Sequence, residues 1–167
     1  MNNITGKAWV FGDDINTDLI YPQICYTLPE AEKPFHAMEA NRPGWATLVG
    51  AGDIIIGGRN FGTGSSRPAA DNLKKLGISC IIAESVNGLF LRNAVNTGIM
   101  AIEASGVHDV VDEGDTITVD LENCRITDIT NQRSVAFRGL PPFLMEIIEN
   151  GGIINVLRAK GLLGKPL

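Results

Sequence analysis

Short apolar runs of the kind found in buried strands recur along the first two thirds of the chain. Two of them, "DIIIGG" from Asp53 and "ISCIIAES" from Ile78, are apolar almost throughout and rich in β-branched residues. A strand that is apolar on both faces is typical of a parallel sheet covered by helices. The segment between them, "RPAADNLKKLG", favours a helix, so these residues predict a strand, a helix and a second strand.

The pattern extends in both directions. The run "KAWVFG" predicts a first strand, "NGLFLRNAVNTG" a helix that ends at Gly98, and "IMAIEA" another strand. Beyond Gly106 apolar and polar residues alternate, and "DTITVDLEN" and "CRITDIT" predict an antiparallel hairpin. Prolines before and glycines after "PPFLMEIIENGG" indicate a helix, and "IINVLRAKG" predicts a second helical piece.

The segment between the first two strands is less regular. "DDINTDLIYP" predicts a polar turn that ends at Pro22. Pro29, Pro34 and Pro43 then interrupt the chain, and we expect only short helical pieces there, because proline breaks or begins a helix. Together the elements predict an α/β fold with a mixed, mostly parallel sheet, flanking helices and a C-terminal antiparallel hairpin. A length of 167 residues predicts a single domain spanning residues 1–167.

Composition excludes several classes of protein. The formal charge is −5 and the lysines and arginines do not cluster, so no nucleic-acid partner is expected. No apolar run approaches the roughly 20 residues of a spanning helix, and the start lacks the build of a signal peptide; we expect a cytoplasmic protein with no membrane partner. Cys25, Cys80 and Cys124 form no Cys-x-x-Cys pair, so no metal site is predicted in this chain.

A glycine-rich stretch, "GGRNFGTGSSR", carries the candidate chemistry; we call its residues 57–67 the serine loop. Pro68 fits the first position of the following helix, which places Ser65, Ser66 and Arg67 at the helix entrance. The free N–H groups and positive dipole of a helix entrance suit an anion, and glycines let backbone approach a ligand closely. The guanidinium of Arg67 matches a carboxylate in bidentate fashion.

The two serines leave alternatives open. A serine oxygen can accept a proton from carbon only where donors stabilise its anion, and the loop N–H groups with Arg67 could supply them. The ordinary alternative is that Ser66 only caps a helix. The loop lacks the last glycine of the dinucleotide fingerprint and the Lys-Ser/Thr pair of a P-loop, so nucleotide binding is disfavoured.

The stretch "NFGTGSSR" closely resembles the NFG-x-GSSR signature of the small subunits of 3-isopropylmalate dehydratase (isopropylmalate isomerase) and of the mobile domain of the aconitases. The segments "VFGDDINTDLIYP", "AESVNGLFLRNAVNTG" and "GLPPFLMEIIENGGIINVL" resemble further parts of this family in the same order. The resemblance covers nearly the whole chain, and it implies an aconitase-like swivelling β/β/α domain.

The resemblance also implies a function and a partner. Such a small subunit works with a large subunit that holds a 4Fe-4S cluster, while this chain binds no cofactor. The pair removes water from a small hydroxy di- or tricarboxylate and adds it back. For this chain the resemblance favours the isomerisation of 3-isopropylmalate and 2-isopropylmalate in leucine biosynthesis. Self-association of the isolated chain is left open.

The resemblance further assigns roles to residues. Ser65 would be the base that takes a proton from the carbon next to a carboxylate, and Asp18 would face the site as an orienting or ion-pairing group. Arg67 would grip one substrate carboxylate. The residues that the resemblance assigns to substrate binding are Asn60, Thr63, Gly64, Ser66 and Arg67.

The chain departs from the family pattern beside the site. The family usually continues "SSREHA", whereas this chain has "SSRPAA". In the isopropylmalate enzymes that the chain resembles, substrate specificity resides largely in a loop that corresponds to residues 24–34 here, and the resemblance makes Cys25, Tyr26 and Thr27 the candidates for the pocket lining. The alternative substrates are therefore 2,3-dimethylmalate, methylmalate and homoaconitate. An alternative of another class is a non-catalytic module that binds a carboxylate or has a regulatory role.

Overall fold

The computed structural model describes residues 3–64 and 67–163. Within these ranges the chain forms a seven-stranded sheet with the strand order β4-β3-β2-β1-β5-β6-β7. Strands β1 to β4 pair in parallel, and β5, β6 and β7 continue the sheet from β1 in antiparallel fashion. The strands are β1 Ile4–Val10, β2 Ile54–Gly57, β3 Cys80–Ala83, β4 Met100–Glu103, β5 Thr116–Asp120, β6 Arg125–Asp128 and β7 Arg133–Ala136.

Helices connect and flank the strands. The α-helices are α1 Thr17–Ile20, α2 Ala69–Leu76, α3 Gly88–Thr97, α4 Pro142–Glu149 and α5 Ile153–Ala159. Short 3-10 helices span Gln23–Tyr26, Lys33–His36, Trp45–Thr47 and Val107–Asp109. The first three confirm that the segment between β1 and β2 is irregular, with Pro34 in the first turn of the second. None of the helices in the described ranges is long and apolar enough to cross a membrane.

The structure confirms the mixed α/β class and adds one strand. The sheet is parallel at the β4 end and antiparallel at the β7 end, and β7 extends the predicted hairpin to three antiparallel strands. Strand β7 escaped prediction because its four residues contain one large apolar side chain, Val135, which pairs with Ile126. Helix α2 begins at Ala69, so Pro68 is its N-cap residue rather than its first helical residue.

Both faces of the parallel strands are buried, as the apolar runs predicted. Ile55 and Ile81 point into one core, whereas Ile54, Ile56 and Ile82 point into the other, and all five are fully buried. This alternation follows from the two-residue repeat of a strand. The sheet therefore separates two hydrophobic layers and holds its parallel strands at fixed positions.

Helices α2 and α3 cover the first core and contact the turn between α4 and α5. The Lys74 ammonium donates hydrogen bonds to the carbonyl oxygens of Thr97 and Gly151, at 2.5 and 3.1 Å. Gly98, at the C-terminus of α3, has a φ of 76°, and a Cβ there would overlap the backbone of Gly151. The end of α3 thus packs directly on the turn between α4 and α5.

This close approach predicts that two glycine substitutions lower the free energy of unfolding by clearly different amounts. Gly44 has the same φ of 76°, but a Cβ added there would meet nothing within 4 Å. Gly44→Ala should lower the free energy of unfolding by about 1–2 kcal/mol, the cost of left-handed backbone in an L-residue. Gly98→Ala should lower it by roughly a further 1–3 kcal/mol because of the overlap. Urea unfolding of both variants measures this, and equal losses would contradict the packing.

Candidate active site at the carboxyl edge of the parallel strands

The site lies where β1 and β2 end side by side and continue into loops. Two backbone hydrogen bonds join these loops: Gly62 N–H donates to the Ile15 carbonyl at 2.6 Å, and Thr17 N–H donates to the Thr63 carbonyl at 2.8 Å. Carboxyl ends of parallel strands are the usual place for ligands in open α/β sheets. The pairing draws the start of α1 and the serine loop together.

Arg67 and Asp18 meet at this junction. Arg67 Nε lies 2.6 Å from Asp18 Oδ1, and Arg67 Nη1 donates to the Tyr21 carbonyl oxygen at 3.0 Å. The guanidinium carbon is 5.6 Å from the ring centroid of Tyr26, within range of a cation–π interaction. The Arg67 side chain is 17% exposed and that of Asp18 is 60% exposed. The guanidinium is therefore held from several sides but still reaches the surface.

Local sequence explains the position of Asp18. Asn16 is the N-cap residue of α1, and its Oδ1 accepts a hydrogen bond from Leu19 N–H at 2.9 Å. Asn16 also forms a parallel bridge with Thr63. The turn predicted from "DDINTDLIYP" is thus a single helical turn, with Asp18 in it, fastened to the serine loop.

Three glycines of the serine loop serve the chain's own packing. A Cβ added to Gly57 would lie 2.5 Å from the ring of Phe61. A Cβ added to Gly58 would overlap Asp13, and one added to Gly62 would overlap Phe90. We expected these glycines to admit a ligand, and the structure gives them a different reason. Gly64 has more room than these three, because the nearest neighbour of a Cβ added there would be Thr17 Oγ1, at 3.2 Å.

Not all the predicted site residues can be placed. Ser65 and Ser66 lie outside the described residues. Thr63 is half-buried in its bridge to Asn16, and Gly64 follows it next to α1. The side chain of Asn60 donates to Asp14 rather than standing free.

The candidates for the pocket lining separate into two kinds. Tyr26 is 54% exposed beside Arg67, and Thr27 is exposed with its hydroxyl donating to the Ile24 carbonyl at 2.9 Å. Cys25 is fully buried, so its side chain does not reach the surface on which the other two lie. The contribution of the Tyr21 carbonyl was missed, because a backbone contact between distant segments leaves no signal in residue spacing.

The cysteines do not fit an iron–sulfur cluster. Among residues 3–64 and 67–163 no three His, Cys, Asp or Glu side chains are grouped so that they could hold a metal ion. Burial raises the pKa of the Cys25 thiol and of the Cys80 thiol, which opposes the thiolate that a cluster needs. Cys124 lies in the turn between β5 and β6, away from the serine loop.

The same burial predicts the order of thiol labelling. Cys124 is half-buried, whereas Cys25 and Cys80 are buried with raised pKa values. Because the thiolate is the reactive form, iodoacetamide at pH 8 should modify Cys124 first in the folded chain. Peptide mass spectrometry over a time course measures the order. Modification of Cys80 as fast as Cys124 would contradict the burial described above.

Comparison with known proteins identifies the family of the chain. The Aconitase C-terminal domain family matches residues 15–106, which is more than half of the chain and includes Asp18 and the serine loop. The chain belongs to this family.

Members of the family resemble the chain along almost its full length. The isopropylmalate/citramalate isomerase small subunit of Methanocaldococcus jannaschii is 44% identical over 160 residues, covering 94% of this chain and 95% of the relative. The 3-isopropylmalate dehydratase small subunit of Lachnospira eligens is 43% identical over 157 residues, covering 92% and 93%. A crystal structure of 3-isopropylmalate dehydratase from Methanocaldococcus jannaschii has a TM-score of 0.90 at 33% identity, covering 96% of each chain. The swivel-domain fold expected from the sequence is thereby confirmed.

Proposed function

We propose that this chain is the small subunit of a two-subunit hydro-lyase that interconverts 3-isopropylmalate and 2-isopropylmalate, a step of leucine biosynthesis. The observation that carries the proposal is the Arg67 guanidinium at the end of the serine loop, where Asp18 and the Tyr21 carbonyl orient it. Support comes from small-subunit relatives at 43–44% identity that align over nearly the entire chain.

The arginine fits the chemistry of the substrate carboxylate. Removing a proton from the carbon next to a carboxylate builds negative charge on that carboxylate, and a planar donor fork stabilises it. Arg67 grips the carboxylate, and Asp18 keeps the guanidinium in place while remaining open to the site. Ser65 accepts the proton, and Ser66, Thr63 and Gly64 bind the substrate in this proposal.

The chain needs a partner for the rest of the reaction. We assign the 4Fe-4S cluster and the chemistry at the leaving hydroxyl to a large subunit, because the cysteines described here do not fit a cluster. This chain's residues act on the carboxylate and on the C–H bond. The isolated chain is therefore expected to be inactive.

A second substrate belongs in the assay. The 44% identical relative from Methanocaldococcus jannaschii is named an isopropylmalate/citramalate isomerase subunit, and citramalate is a methylmalate. Both acids carry the carboxylate that Arg67 would grip and differ in their alkyl group. Tyr26, exposed beside Arg67, is placed to contact that group.

The proposal predicts a rate that depends on Ser65. The chain is combined with its reconstituted large subunit and given isopropylmalate, citramalate, dimethylmalate and homocitrate, while ultraviolet absorbance follows the unsaturated acid. Isopropylmalate should give the highest kcat/KM. Ser65→Ala should lower kcat by about 10²–10⁴-fold, the usual contribution of a positioned base.

Ser105→Ala is the matched control, because Ser105 is an exposed serine outside the serine loop. It should leave kcat unchanged. A cluster-bearing complex that is inactive towards all four acids would refute the proposed activity and favour a regulatory carboxylate-binding module. Activity that survives Ser65→Ala would remove Ser65 from the role of base.

A further inference from the structure

Asn60 in the serine loop and Asp14 beside it adopt a backbone conformation that L-residues seldom use. Asn60 has a φ of 64° and Asp14 a φ of 56°. Asn and Asp tolerate this region better than other side chains, but the conformation persists only where the surroundings hold it. Both residues lie on the loops that leave the carboxyl ends of β1 and β2. The contacts of Asn60 show what holds it.

Asn60 links the loops that follow three parallel strands. Its Nδ2 donates to Asp14 Oδ1 at 2.8 Å, which ties it to the loop after β1. Its backbone N–H donates to Ser85 Oγ at 2.8 Å, which ties it to the loop after β3. The neighbouring residues repeat both links, since Asp14 N–H donates to the Arg59 carbonyl at 2.9 Å and Phe61 N–H donates to the Ser85 carbonyl at 3.0 Å.

These contacts put Asn60 at the base of the serine loop. Asp14 lies four residues before Asp18, and Asn60 lies five residues before Ser65 and seven before Arg67. A shift of Asn60 relative to Asp14 would therefore move the serine loop relative to the helical turn that carries Asp18. Displacements of about 1 Å can cost a catalytic site on the order of 100-fold in rate.

We propose that Asn60 is a positioning residue that holds the serine loop in register with Asp18, through the side chain of Asp14 and the hydroxyl of Ser85. This inference rests on the proposed function for its effect on rate. It differs from the expectation that Asn60 binds substrate, because one N–H of the amide is engaged with the chain itself, and the kinetic test below separates the two roles.

An exchange of donor and acceptor tests the proposal. Asn60→Asp keeps the size of the side chain but removes the donor and places a carboxylate against Asp14. The double variant Asp14→Asn with Asn60→Asp restores the hydrogen bond with its direction reversed, and both residue types tolerate a positive φ. Asn123→Asp is the matched control, because Asn123 Nδ2 donates to Asp120 Oδ2 at the same 2.8 Å in the exposed turn between β5 and β6.

Steady-state kinetics of the complex with the large subunit give the first readout. We expect Asn60→Asp to lower kcat by about 10–100-fold, with a smaller change in KM, and the double variant to return kcat to within about threefold of the parent. Asn123→Asp should leave kcat unchanged. A double variant as slow as Asn60→Asp would mean that Asn60 contacts the substrate, and parental kcat in Asn60→Asp would refute any positioning role.

Hydrogen exchange of the full chain gives a second readout that needs no activity. Asn60→Asp should speed amide exchange in residues 58–64, and the double variant should restore protection, whereas Asn123→Asp should not affect these residues. Unchanged exchange in Asn60→Asp would overturn the proposal. If the parent complex is inactive, the proposed function fails while the exchange data still decide whether Asn60 holds the loop.

Discussion

The site depends on the backbone pairing between the loop after β1 and the serine loop. Gly62 and Thr63 bond to Ile15 and Thr17 much as neighbouring strands do, so parallel pairing resumes beyond the ends of β1 and β2, shifted by one residue from the register within the sheet. Gly62 has a φ of 81°, which favours glycine, and it packs against the ring of Phe90 in α3. The overlap of a Cβ at Gly62 with Phe90 shows how little space is left there. Asp18 and Arg67 meet beside this pairing.

The pair of Asp18 and Arg67 has a modest role in stability and a specific role in geometry. A partly exposed ion pair contributes roughly 0–1 kcal/mol to folding, so this one does not hold the fold together. It fixes the direction of a guanidinium fork that the Tyr21 carbonyl and Tyr26 constrain from other sides. Such pre-orientation is what a carboxylate clamp needs, since its donors must stand in place before charge develops. The relatives at 43–44% identity are named small subunits, and we propose that a large subunit supplies the rest of the site.

Much of the fold could be predicted from local pattern, because the runs around Ile55 and Ile81 are buried on both faces and leave no ambiguity about parallel strands. Strand β7 could not, since Val135 alone gives too weak an alternation. In the site, Arg67 was singled out by its position at a helix entrance and Asp18 by a resemblance of motifs, and their contact came only from the structure. The roles of Asp14, Ser85 and the Tyr21 carbonyl depend on contacts between segments far apart in sequence, which no spacing along the chain encodes.

We propose that this chain supplies a pre-oriented arginine that grips the substrate carboxylate in a site completed by a large subunit. Steady-state kinetics of Arg67→Lys in the reconstituted complex test it most directly, because lysine keeps the charge and loses the planar fork. We predict that kcat/KM falls by about 10–100-fold, which corresponds to the loss of one charge-assisted hydrogen bond. The free energy of unfolding of the chain should change by less than about 1 kcal/mol. An unchanged kcat/KM in a folded variant would show that the planar fork of Arg67 does not grip the substrate carboxylate.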